Sequence, residues 1–123
     1  MIELTLVGSS IPVALKNATG ETESLELREM TAASRDQYID VVGGRMLFDP
    51  KGVPIGLKKA EGLQAELLSR CLYRTHDEKP VLVSKGEIQG WPTTVVNRLF
   101  DEARRLNRIN DDGEKVQDES KKD

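Results

Sequence analysis

Aromatic side chains are scarce: two phenylalanines, two tyrosines and one tryptophan, 4% of 123 residues. The core must then be small and aliphatic, and a self-associating surface would help to stabilise it. Cysteine occurs once, at Cys71, and histidine once, at His76. That excludes a disulfide within the sequence and any Cys/His metal cluster. No apolar run approaches the roughly 20 residues of a membrane-spanning helix. The first residues also lack the basic start of a secretory signal, so a cytoplasmic protein with no membrane partner is expected. Neither sign of charge dominates. The formal net charge is -3, which gives no bulk attraction to nucleic acid or to an anionic membrane surface. The Gly-rich stretch 45–56 has no Gly-x-x-x-x-Gly-Lys-Ser/Thr spacing, which argues against a phosphate-binding loop.

What is present predicts one α+β domain over residues 1–110. Residues 1–30 form an antiparallel β meander, 31–110 are mainly helical with about three main helices, and 111–123 form a disordered charged tail. Ile2, Leu4 and Leu6 alternate with polar neighbours, as do Ile11, Val13 and Leu15, and then Leu25 and Leu27. A period of two is the pattern of a half-buried strand. Pro12 suits only an edge strand or a strand start, and Asn17-Ala18-Thr19-Gly20 is turn chemistry.

Thr31 to Val42 reads as a helix capped by Thr31 or Ser34. Tyr38, Val41 and Val42 form its apolar stripe, and Gly43-Gly44 ends it. Residues 45–56 read as a loop in which Met46, Leu47 and Phe48 tuck inward. A second helix is expected over Leu57 to Arg74, with Ala60, Leu63, Leu67, Leu68, Cys71 and Leu72 on one face and Glu66 paired to Arg70. Cys71 in that row reads as a buried structural thiol. Pro80 to Val83 is extended. Ser84-Lys85-Gly86-Glu87 matches a capping box, so a single helical turn should run to Gln89.

The most informative stretch is Ile88 to Asn107, which holds the sole tryptophan. Trp91-Pro92 breaks the chain, because the residue before a proline avoids the helical region. From Pro92 a strongly amphipathic helix follows. Val95, Val96, Leu99, Phe100, Ala103 and Leu106 lie on one face. Asn97, Arg98, Asp101, Glu102, Arg104 and Arg105 lie on the other, with Asp101 and Arg105 able to pair. The apolar face needs a partner, and the second helix supplies it.

The reactive side chains form no catalytic set. His76-Asp77 lies in a polar stretch and reads as a solvated loop rather than a general base, and Ser9-Ser10 has no nucleophile-elbow context. No catalytic, cofactor or metal site is expected. Arg98, Arg104, Arg105 and Arg108 alternate with acids, which favours a salt-bridged solvated face over a nucleic-acid patch. Trp91 reads first as a partly buried hinge and second as an interface anchor. The candidate partner-contact residues are Trp91, Leu67, Arg98 and Arg105.

One further pattern spans residues 25 to 109. It comprises Leu27-Arg28-Glu29-Met30-Thr31-Ala32-Ala33-Ser34-Arg35-Asp36-Gln37-Tyr38, Leu67-Leu68-Ser69-Arg70-Cys71-Leu72, Glu87-Ile88, Trp91-Pro92, Asn97-Arg98-Leu99-Phe100, Ala103 and Leu106-Asn107. It resembles the tail assembly chaperones of long-tailed bacteriophages and prophages. The resemblance implies a small non-enzymatic protein, made in the cytoplasm of the bacterial host and absent from the finished virion. Its implied partners are the tape measure protein, tail tube subunits and, in a weak homo-oligomer, itself. It also implies a longer product made by ribosomal frameshifting near codons 121–122, where Lys121-Lys122 permits a slippery adenine run, although two lysines in a polar tail read first as nothing more. The alternatives are a structural tail or head-tail joining protein, or a small DNA-binding regulator using the Arg-rich last helix.

Overall fold

The computed structural model describes residues 1–57 and 62–109. The chain is α+β, with a four-stranded antiparallel sheet carrying helices on its apolar face and a separate two-stranded hairpin. Strands β1 (Ser10–Lys16) and β2 (Thr22–Arg28) form the first hairpin, in the register Ile11↔Leu27 and Val13↔Leu25. Its turn is built as the sequence implies. The Asn17 Oδ1 accepts from the backbone N–H of Thr19 and of Glu21, each at 3.0 Å, and Gly20 takes φ +90°, which a side chain would resist. Pro12 sits on β1, an edge of the sheet, where its missing N–H interrupts no ladder.

Three expectations are corrected. Residues 1–9 form no strand: Ile2, Leu4 and Leu6 are fully exposed, Leu4 to 90%. The segment lies beyond the edge strand, held at its end by the Glu29 N–H on the Ser9 carbonyl, and residues 1–8 pair with no strand among the described residues.

The second helix is much shorter than its apolar row. Helix α2 covers only Leu63–Leu68, opened by Gly62 at φ +83°. The Ser69 hydroxyl donates to the Glu66 carbonyl at 2.9 Å where the helix ends. The chain then enters β5 (Leu72–His76), which pairs with β2 through Leu27↔Leu72 and Glu26↔Tyr73. β6 (Lys79–Leu82) completes the order β1-β2-β5-β6. The row Leu67, Leu68, Cys71, Leu72 satisfies either structure locally. The open ladder of β2 decides, because each unpaired buried backbone group costs as much as a lost hydrogen bond. Ala60 and the 111–123 tail lie outside the described residues.

The expected loop 45–56 is in part a hairpin of β3 (Met46–Phe48) and β4 (Pro54–Leu57). The Asp49 carboxylate shapes its turn, accepting from the Lys51 and Val53 N–H at 2.8 and 2.9 Å. Leu47 and Phe48 do not tuck inward; Phe48 is 53% exposed.

The remaining helices follow the sequence closely. α1 (Ala32–Gly44) is capped by the Thr31 hydroxyl, which accepts from the Ser34 N–H at 3.2 Å, and buries Tyr38. α3 (Lys85–Gln89) is capped by Ser84, whose hydroxyl accepts from the Glu87 N–H at 3.2 Å. α4 (Thr93–Asn107) begins after Pro92, which occupies the N-cap. Val96, Leu99 and Ala103 of α4 are buried, and the helix packs on α2. It closes in a Schellman turn: Arg108 is left-handed at φ +55° and the Ile109 N–H donates to the Arg104 carbonyl at 2.9 Å. The pair predicted between Asp101 and Arg105 is exchanged: Asp101 binds Arg104 at 2.6 Å and Arg105 binds Glu102 at 3.0 Å. Leu27, Leu67, Leu68, Cys71, Leu72, Val83 and Ile88 form the centre of the core.

Candidate functional site

Trp91 marks the site because the chain cannot bury it completely. Its backbone N–H donates to the Ile88 carbonyl at 3.0 Å at the end of α3, and Pro92 then redirects the chain into α4. Ile88 is fully buried and pins α3 to the core, so the indole is held at the rim. There it packs on the core with part of its surface exposed and forms a wall shared by two open clefts. One, of about 450 Å³, lies toward α2 and is bounded by Gly62, Gln64, Gln89 and Thr93. The other, of about 380 Å³, lies toward the first hairpin and is bounded by Leu15, Ala18, Glu23, Glu87 and Val95. The structure bears out the first reading of Trp91, a partly buried residue at the hinge, and leaves part of the indole surface exposed to the two clefts.

The second cleft has an ionic margin. Arg74 on β5 donates to both oxygens of Glu87 on α3, at 2.7 and 2.6 Å, and to both oxygens of Glu23 on β2, at 3.1 and 3.0 Å. This fork ties two strands to a helix. The hydrogen bond from Arg74 holds the Glu87 carboxyl below its ordinary value. The capping box is therefore half formed: Ser84 caps α3 as expected, while the Glu87 carboxylate turns to Arg74.

The other candidates are dispersed. Arg98 and Arg105 lie on the solvent face of α4 and share Glu102, at 3.6 and 3.0 Å. The face is an alternation of charges, which does not present a continuous cationic strip. Arg104 also lies over the Phe100 ring at 4.8 Å. Leu67 is fully buried and belongs to the core, so it offers no surface to a partner. His76 and Asp77 approach to 3.4 Å at the β5–β6 turn and are 73% and 87% exposed, the solvated turn that the sequence implies. Cys71 is buried, and burial pushes its thiol up to about 12, as expected for a structural residue. Among the described residues no three His, Cys, Asp or Glu side chains are placed to hold a metal ion, and no helix is long and apolar enough to cross a membrane.

Sequence reasoning missed two features. Asn107 is buried within the α4 interface, and its spacing of four from Ala103 was the available clue. The exposed apolar hairpin β3–β4 was hidden by its Gly and Pro content. No family model, curated protein or solved structure matches this chain.

Proposed function

We propose that the protein is a non-enzymatic tail assembly chaperone of a long-tailed bacteriophage or prophage, which binds the tape measure protein and recruits tail tube subunits around it. One observation carries the reading. The residues behind the resemblance converge on a single core: Leu27, Tyr38, Leu67, Leu68, Cys71, Leu72, Ile88, Leu99 and Ala103 all belong to it. Trp91, from the same pattern, is left at the rim between two clefts. A carrier of a long helical protein works by shallow apolar contacts repeated many times, and a partly exposed tryptophan flanked by open clefts suits that work. In this reading the protein acts in the host cytoplasm as a weak homo-oligomer and is absent from the finished virion.

Co-expression with the tape measure protein of the same genome tests the proposal. The expected result is a soluble complex, lost in Trp91→Ala while that variant still melts cooperatively. A tape measure protein that stays insoluble and unbound overturns it. Recovery of the chain from purified virions by mass spectrometry would instead favour a joining protein. Salt-dependent retention on DNA would favour a regulator, a reading that the Glu102-paired arginines of α4 do not support.

A further inference from the structure

The Trp91 indole depends for its position on a helix too short to hold itself. α3 has five residues, and one turn of helix does not persist in isolation. Trp91 is tied to that turn through the backbone. Its N–H donates to the Ile88 carbonyl and the Gly90 N–H donates to the Glu87 carbonyl, both at 3.0 Å. A movement of α3 therefore carries the indole with it.

Two attachments fasten α3. On one side Ile88 is fully buried and the helix packs on α2. On the other, the Glu87 carboxylate receives two hydrogen bonds from Arg74. Among the described residues, Glu87 is the one α3 side chain that forms a hydrogen bond or an ion pair. Apolar burial is non-directional, so Ile88 fixes the depth of the helix and leaves its angle open. A two-point guanidinium–carboxylate contact is directional and fixes the angle. Arg74 can do this because it is itself held. It lies on β5 in register with Leu25 of β2, and it binds both oxygens of Glu23.

The two acids also meet. Glu23 Oε1 and Glu87 Oε2 share Nη2 of Arg74, at 3.0 and 2.6 Å, which brings two carboxylates within a few ångströms of each other. Both line the cleft between Trp91 and the first hairpin, whereas Arg74 lines neither cleft. Without the guanidinium the like charges would push α3 away from β2.

We infer that Arg74 is a positioning residue for the Trp91 site. Its fork sets the angle of α3 against the sheet, and with it the outward surface of the indole and the width of the hairpin-side cleft. For binding, this rests on the reading of Trp91 as a partner contact; for the position of the indole, it rests on geometry alone. The fork is partly exposed, Glu23 to 49% and Glu87 to 38%. Exposed ion pairs add little to overall stability, so its loss should register at Trp91 more than in the melting curve.

Trp91 is the sole tryptophan, so its fluorescence in the full chain, without denaturant, reads the site directly. Arg74→Met should shift the emission to longer wavelength and make it more easily quenched by acrylamide. Glu87→Ala cuts the same tie without leaving two unbalanced carboxylates, and should shift in the same direction by less. Arg28→Met, which removes a cation from the other end of β2, should match the wild type. Cys71 should stay unlabelled by a thiol reagent in all three, which separates movement of α3 from opening of the core. Wild-type emission and quenching in both Arg74→Met and Glu87→Ala overturn the inference. So does an equal shift in Arg28→Met, or a shift that comes only with Cys71 labelling. Capture of the tape measure protein should also be weaker in Arg74→Met than in the wild type, and equal capture overturns the role in binding. A wild type that captures nothing defeats the chaperone reading instead, and the fluorescence still decides the role of Arg74.

Discussion

The backbone N–H of Met30 donates to Oδ1 of Asn107 at 2.7 Å, across a sequence separation of 77 residues. The same amide turns its Nδ2 to the Ala103 carbonyl at 2.9 Å. Arg35 of α1 donates to the carbonyls of Asn107 and Arg108, at 3.3 and 3.4 Å, where the helix dipole favours a cation. One buried asparagine thus joins the end of β2, the start of α1 and the end of α4. A polar group in this position is tolerated only because both of its functions are satisfied.

Asn107→Ala should therefore destabilise the protein by about 1–3 kcal/mol, the cost of leaving the Met30 N–H buried without a partner. Asn97→Ala, on the exposed face of the same helix, should stay within about 0.5 kcal/mol of wild type. Urea denaturation of the two variants checks the contrast. Equal stabilities would show that water replaces the amide.

The α2–α4 contact sets the second prediction. Leu68 is fully buried and Leu99 nearly so. Leu68→Ala and Leu99→Ala should each cost about 2–5 kcal/mol. Losses below about 1 kcal/mol at both sites would mean that these faces collapse around the cavity or open to a partner.

Acid should weaken the fork at the second cleft. Arg74 holds Glu87 below its ordinary value of about 4.5, so the folded state takes up this proton less readily than the unfolded chain does. The contribution is complete above about pH 4.5 and is lost as pH falls through the lower folded value. Between pH 5 and 3, stability should fall more steeply with falling pH in wild type than in Glu87→Gln. Chemical denaturation at each pH checks this. Parallel slopes would show that Glu87 titrates alike in both states.

Local chemistry was legible in the sequence and closure of the sheet was not. The Ser84 and Thr31 caps, the Asn17 turn and the apolar face of α4 each depend on residues within a few positions, and all were read correctly. Leu72 to His76 was misread because an apolar row at helical spacing also fits a strand, and only β2, some 45 residues earlier in the chain, supplies the ladder that decides it. Ile2, Leu4 and Leu6 have the alternation of a strand but no partner strand among the described residues. At the candidate site Trp91 was legible as the lone large aromatic at a chain break. Its two clefts were not, because each is lined by residues far apart in the chain, from Gly62 to Val96 in one and from Leu15 to Val95 in the other. Leu67 reads both as part of the apolar face and as a partner contact, because pattern alone does not say how far a helical face is covered; the fold buries it fully.

Cys71 should report on opening of the core. Its thiol is buried and shifted up to about 12, so almost none is thiolate at pH 8. A thiol reagent should leave the folded protein unlabelled and modify one site per chain in denaturant. Labelling of the native state at the rate of a free thiol would show that the β2–β5–α2 core opens readily.

The two sheets should differ in local stability. In the four-stranded sheet the Arg28 N–H donates to the Cys71 carbonyl and the Val83 N–H to the Leu72 carbonyl, both at 2.9 Å and both among fully buried side chains. These amides can exchange only when the core opens. In the β3–β4 hairpin the Asp49 N–H donates to the Val53 carbonyl at the same 2.9 Å, yet the surrounding apolar side chains are exposed. Bond length is equal, so burial decides. Hydrogen exchange at low micromolar concentration should find Asp49 exchanging on the order of a hundredfold faster than Arg28 and Val83. Matching rates would mean that the hairpin opens only with the whole domain.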